Sequence, residues 1–84
     1  MTVLTIYSRP GCHLCDDMKA LVSRVTAGMR DVTIEEVDIS GDAALEARYG
    51  LEIPVLLVGG KKAAKYRIEE NALRRLLADA GGPD

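Results

Sequence analysis

The sequence has no phenylalanine and no tryptophan, and three tyrosines are its only large aromatic residues. A folded core must therefore be built from aliphatic side chains, and we expect the tyrosines at its margins. The apolar content of 48% is typical of a folded chain and argues against a disordered one. At 84 residues the chain is long enough for one domain. We expect that domain to span residues 1–80 and to be followed by a flexible tail at residues 81–84.

An excess of charge of one sign is also missing. The formal net charge is −2, and acidic and basic residues are spread along the chain instead of forming a basic face. This balance argues against a nucleic-acid partner. The apolar runs are far too short to span a bilayer, so no membrane partner is expected. No basic leader precedes a long apolar run near the N terminus, so the sequence predicts a cytoplasmic protein without a signal peptide.

The apolar pattern predicts seven elements in the order βαβ, a short helix, a ββ hairpin and a closing helix. The predicted strands cover residues 3–7, 32–39, 54–58 and 61–67, and the predicted helices run from Cys12 to about Gly28, through residues 44–48 and over residues 69–80. The glycine pair at residues 59–60 is typical of a tight hairpin. The economical arrangement is an α/β fold with a central four-stranded mixed sheet and helices on both faces.

Cysteine is scarce, and its two copies, Cys12 and Cys15, stand three residues apart. They follow a predicted strand and open a predicted helix, where unpaired backbone N–H groups and the helix dipole favour a thiolate. The thiolate is the nucleophile in thiol–disulfide exchange. Cys12 is thus the expected attacking group, with Arg9 and His13 close enough in sequence to add positive charge. Cys15 lies one turn further into the helix, where we expect a more enclosed, resolving thiol.

The same spacing has other uses. Pairs of cysteines three residues apart also bind zinc and iron–sulfur clusters, and free cysteines are often simply part of a core. One chain supplies only two thiolates, so a cluster would need a dimer, His13 or external thiols. His13 could also be an exposed residue without a role. Placement between a strand and a helix nevertheless favours redox chemistry.

The segment from Ile6 to Cys15, IYSRPGCHLC, resembles the active-site segment of glutaredoxins. Ile53-Pro54 is similar to the cis-proline dipeptide of that family, and the order of elements matches the thioredoxin fold along essentially the whole chain. The nearest resemblance is to short bacterial glutaredoxin-like proteins. It implies that Cys12 attacks and Cys15 resolves.

The resemblance also assigns expected roles in substrate binding. Arg9 matches the basic residue that helps to hold the glutathione carboxylate. Ile53 is expected to offer its backbone to the substrate, with Pro54 in the cis form. Two features depart from the family pattern: the intervening residues are His and Leu in place of Pro and Tyr, and residues 64–67 replace a glycine pair and an aspartate. The aspartate that would hold the glutathione amino group has no counterpart, and Arg67 carries the opposite charge.

These observations predict a monomeric dithiol oxidoreductase that reduces protein or low-molecular-weight disulfides. No bound cofactor and no metal is expected, and glutathione or a thioredoxin-reductase system is the expected electron donor. Two alternatives remain open: a dimeric iron–sulfur or zinc module that uses Cys12 and Cys15 as ligands, and a redox-inert thioredoxin-fold domain that serves protein contacts.

Overall fold

The computed structural model describes residues 2–80 and contains the seven predicted elements in the predicted order. The strands are β1 (Thr2–Ser8), β2 (Val32–Asp38), β3 (Val55–Val58) and β4 (Lys61–Lys65). The helices are α1 (His13–Thr26), α2 (Ala43–Tyr49) and α3 (Glu70–Ala80). The flexible tail predicted at residues 81–84 lies outside the described residues, and the single domain stays a prediction.

The four strands form one mixed sheet in the order β2-β1-β3-β4. β1 pairs with β2 in parallel and with β3 in antiparallel orientation, and β3 and β4 form the antiparallel hairpin. The helices lie on both faces, so the predicted architecture is confirmed. β4 is an edge strand with three exposed lysines, which discourages pairing with other chains.

The larger core lies between the sheet and the pair α1 and α3. It is aliphatic apart from the thioether of Met18, as the absence of phenylalanine and tryptophan requires. Its buried members are Leu4, Ile6, Met18, Val22, Val25, Leu56, Leu73 and Leu77. Full burial of aliphatic side chains of this size stabilises a domain by about 1.5–3 kcal/mol each. This core fixes α1, the helix that carries the cysteines.

The smaller core lies on the opposite face, under the short helix α2. Ile39, Tyr49 and Val55 are buried there. The rings of Tyr7 and Tyr49 stack with centroids 4.4 Å apart and planes inclined by 14°. The prediction that all three tyrosines lie at the core margin is therefore wrong for Tyr49, which is 7% exposed.

Several predicted boundaries move by one or two residues. α1 begins at His13, and Cys12 is its N-cap. β4 ends at Lys65, two residues before the predicted end, because Tyr66 has a φ of 70° and leaves the sheet. Leu14 falls on the apolar stripe of α1 in the sequence, but it is 39% exposed and stands outside the core. Within residues 2–80, no helix combines the length and the apolar character that crossing a membrane requires.

Candidate functional site

The candidate site lies at the end of the sheet where β1 finishes and β3 begins. Tyr7 of β1 is the register partner of Val55 of β3. The loop from Arg9 to Cys12 follows β1, and the Ile53-Pro54 dipeptide directly precedes β3. The topology therefore brings the two cysteines and this dipeptide, far apart in sequence, to the same end of the sheet.

The two cysteines form a disulfide across the first turn of α1. Their Cα atoms are 5.2 Å apart, within the range that a disulfide allows. The Cys15 backbone N–H donates a hydrogen bond to Cys12 Sγ over 3.1 Å, so this sulfur acts as the N-cap acceptor. Cys12 is half-buried, whereas Cys15 is 0% exposed. Only Cys12 can meet a large partner without local opening of the helix.

The Ile53–Pro54 peptide bond is cis, as the resemblance implies. The Ile53 side chain packs against the smaller core. The Pro54 carbonyl accepts a hydrogen bond from the Tyr66 backbone N–H over 2.8 Å. The dipeptide is thus held in place by contacts with the smaller core and with Tyr66 at the end of β4.

Arg9 is half-buried and forms an ion pair with Glu46 of α2. This pair ties the loop before Cys12 to the helix on the opposite face of the sheet. The hydrogen bonds from the Ser40 hydroxyl and backbone N–H have the larger effect on the pKa of Asp38, and the positive charge of Arg9 also helps to lower that pKa. The two Ser40 groups donate to the Asp38 carboxylate and lower its pKa below the usual 3.8. A substrate carboxylate would have to compete with Glu46 for the Arg9 guanidinium.

Charged side chains surround a small cavity of about 220 Å³ on the β2 side of the thiol loop. Lys19 of α1 donates to Glu36 of β2 over 2.7 Å, and the Ser8 hydroxyl donates to the same carboxylate oxygen over 3.4 Å. The hydrogen bond to Glu36 raises the pKa of Lys19 above 10.5. These contacts satisfy the polar groups on this side and fix α1 to the sheet edge.

A groove of about 480 Å³ opens on the other side of the cysteines, between α1 and the segment after β4. Apolar and charged side chains both line it. The residues that line this groove include Leu14, Asp17, Leu21, Tyr66, Arg67 and Ile68. Leu14, which stands between the two cysteines in sequence, exposes its side chain to this groove.

The structure brings together most of the predicted site residues. Cys12, Cys15, Ile53 and Pro54 occur at one end of the sheet, whereas Arg9 is engaged by Glu46, and His13 is exposed. Within residues 2–80, no group of three or more histidine, cysteine or acidic side chains is arranged to hold a metal ion.

Sequence reasoning missed two residues, Glu46 and Tyr66. Glu46 lies on a short helix whose side chains showed no motif. Tyr66 lies within residues 64–67, where the family has a glycine pair and an aspartate, and no local pattern predicts its backbone conformation or its contacts.

Comparisons with known proteins show the family and the fold of this chain. The family model described as Glutaredoxin-like domain (DUF836) matches residues 3–78. Protein XcR50 from X. campestris is 35% identical, with 95% of this chain and 99% of that chain covered and a TM-score of 0.68. Protein Ne2328 from Nitrosomonas europaea is 26% identical over 88% of both chains, with a TM-score of 0.73.

Two further proteins are similar to this chain at lower sequence identity. A mutant thioredoxin from Halobacterium salinarum shares the fold with a TM-score of 0.71 at 22% identity, over 99% of this chain and 77% of that chain. Uncharacterized protein Rv0508 of Mycobacterium tuberculosis is 25% identical over 77 residues, which cover 87% of this chain and 79% of that protein. Because the family model covers nearly all of the sequence, the chain belongs to the glutaredoxin-like domain (DUF836) family and has a thioredoxin-like fold.

Proposed function

We propose that the protein is a dithiol oxidoreductase that reduces protein or low-molecular-weight disulfides. One observation carries this proposal: a disulfide at the N terminus of α1 joins a half-buried Cys12 to a fully buried Cys15. An accessible sulfur beside an enclosed one is the asymmetry that a two-step exchange requires. The membership in a glutaredoxin-like family supports the same chemistry.

The reaction starts from the reduced protein. The Cys12 thiolate attacks one sulfur of the substrate disulfide; that S–S bond breaks, and the departing thiolate takes up a proton. Cys15 then loses its proton and attacks Cys12 Sγ, which forms the Cys12–Cys15 disulfide and releases the second substrate thiol. The substrate gains two electrons, and the protein loses two. An external thiol donor, glutathione or a thioredoxin-reductase system, returns them.

Nearby groups support each step. The Cys15 N–H that donates to Cys12 Sγ in the disulfide also stabilises negative charge on that sulfur. We assign substrate binding to the Ile53 backbone beside Pro54, to His13 and to Arg9. Arg9 serves this role only when a substrate carboxylate displaces Glu46. We further propose that the protein is a cytoplasmic monomer, that it binds no nucleic acid or membrane, and that it carries no resident cofactor.

The decisive experiment compares Cys12→Ser with Cys15→Ser. Both variants lose the disulfide, so they control for each other in stability. Reduced Cys15→Ser should still attack a disulfide and accumulate the mixed disulfide, detected by mass, whereas Cys12→Ser should form no adduct. The wild-type protein should turn over with glutathione or with a thioredoxin reductase. Equal adduct formation by both variants, or no turnover with any thiol donor, would refute the proposal.

A further inference from the structure

Tyr66 contacts the segment before β3 twice. Its backbone N–H donates to the Pro54 carbonyl over 2.8 Å, and its phenol donates to the Leu51 carbonyl over 2.9 Å. Ile53 lies between these two carbonyls in the chain. A single residue at the end of β4 therefore holds both sides of the residue whose backbone is proposed to receive the substrate.

The backbone of Tyr66 is in an unfavourable conformation. Its φ of 70° lies in the left-handed region, and no other non-glycine residue among residues 2–80 has a positive φ. The Arg67 N–H donates to the Lys65 carbonyl over 2.8 Å, which places Tyr66 at the centre of the rarer, strained form of γ-turn. A glycine would adopt this backbone with less strain. Strained residues of this kind cluster at ligand sites and persist where their surroundings hold them.

Apart from Tyr66, one backbone hydrogen bond holds the Leu51 segment: the Glu52 N–H donates to the Tyr49 carbonyl over 2.8 Å. Leu51 is 93% exposed, so its side chain anchors nothing in the protein. The Glu52 side chain forms an exposed ion pair with Lys62, but that contact holds a carboxylate and leaves the backbone carbonyls free. The two hydrogen bonds from Tyr66 thus act on two backbone carbonyls that flank Ile53, while the Glu52 N–H joins the same segment to the end of α2.

We propose that Tyr66 is a positioning residue that fixes the Ile53 backbone for an extended polypeptide substrate. The inference rests on the proposed oxidoreductase function and narrows its substrates to disulfides within a peptide chain. A peptide that pairs through its main chain gains affinity from a correctly placed backbone partner. A small disulfide has no main chain to pair, so it reacts with Cys12 without using the position of Ile53.

The test uses three variants and two disulfides with the same leaving group. Tyr66→Phe keeps the ring and loses the phenol bond, Tyr66→Gly relieves the strain and loses the side chain, and Lys62→Gln, the control, loses only the ion pair to the same segment. The first disulfide is an extended decapeptide whose cysteine carries thionitrobenzoate, and the second is Ellman's reagent. Release of thionitrobenzoate from each is followed under single-turnover conditions with pre-reduced protein.

We expect Tyr66→Phe to lower the second-order rate constant for the peptide about two- to tenfold, the range of a net hydrogen bond. The loss should appear as a raised half-saturation concentration with an unchanged maximal rate. Tyr66→Gly should lose at least as much. Both variants should react normally with Ellman's reagent, and Lys62→Gln should match the wild type with both disulfides. NMR order parameters should fall at residues 51–53 in Tyr66→Phe and not in the control.

An equal loss with both disulfides, or no loss with the peptide, would overturn the inference while the proposed function stands. Failure of the proposed function looks different, because the wild-type protein would then reduce neither disulfide catalytically with glutathione or a thioredoxin reductase, and the positioning role would fall with it.

Discussion

The two faces of the sheet are built differently. The α1 and α3 face buries a continuous cluster of eight residues, whereas the α2 face buries three and relies on a tyrosine stack. The thiol helix belongs to the larger core, while Ile53 and the ion pair of Arg9 belong to the smaller side. The reacting sulfurs and His13 therefore lie on the side with the larger core, whereas the other two proposed substrate contacts, Ile53 and Arg9, lie on the side with the smaller core.

The test of this comparison with the largest expected effect replaces a leucine of the larger core. Leu73→Ala should lower the free energy of unfolding by about 2–5 kcal/mol, because it opens a cavity in a fully buried site. This is a large share of the roughly 4–13 kcal/mol that a domain of this length has. Urea denaturation of the oxidised protein measures it.

Leu51→Ala is the matched control, since the same side chain there is 93% exposed. Its effect on the free energy of unfolding should stay within about 0.5 kcal/mol. If the two variants lost similar stability, the assignment of the main stabilising core to the α1 and α3 face would be wrong.

The second test concerns the smaller face. A double-mutant cycle with Tyr7→Leu and Tyr49→Leu should give a coupling free energy of about 0.5–1.5 kcal/mol, the value of a favourable ring pair. Leucine keeps apolar bulk at both positions, so the cycle isolates the stacking from the loss of buried area. A cycle with Tyr7→Leu and Tyr66→Leu, whose rings are not stacked on each other, should give no coupling. A coupling near zero for Tyr7 and Tyr49 would mean that α2 is held by aliphatic contacts alone.

The difference between the faces also explains what the sequence could predict about the fold. Near-continuous apolar runs marked β1 and β3, and apolar residues at helical spacing marked α1 and α3. The structure forms these elements and buries most of the α1 stripe, but it leaves Leu14 exposed. The α2 face carried a weaker signal, because a seven-residue helix has too few turns to show a clear period. The burial of Tyr49 depends on the ring of Tyr7, a partner more than forty residues away, and local pattern contains no information about such a pair.

The residues of the candidate site also differ in how far the sequence could predict them. Cys12, Cys15 and the Ile53-Pro54 dipeptide could be recognised because short motifs carry them. The ion pair of Arg9 with Glu46 and the two contacts of Tyr66 could not, since they depend on where separate elements meet. A left-handed backbone at a tyrosine runs against its local preference, so only the folded chain reveals it.

The smallest expected effect on the free energy of unfolding comes from an ion-pair network that joins α1 and α3 on the side of the larger core. Glu70, at the start of α3, accepts hydrogen bonds from Arg74 and from Arg24 of α1. These bonds, with that from Arg74 the larger influence, lower the pKa of Glu70 below its usual 4.5. A depressed folded-state pKa contributes stability that is present above pH 4.5 and is lost as the pH falls through the folded value.

Glu70→Gln should therefore be slightly less stable than the wild type at neutral pH, and the difference should disappear at acidic pH, below the folded-state pKa. The effect is small because the partners are largely exposed, and added salt should reduce it. Unfolding in urea over a pH series that runs from 7 down through the acidic range measures the difference, with Glu69→Gln as the control for loss of one exposed carboxylate nearby. A difference that stays constant over this range would show that the Gln side chain disturbs the packing of α3 on α1, and that the charge of Glu70 does not help to join the two helices.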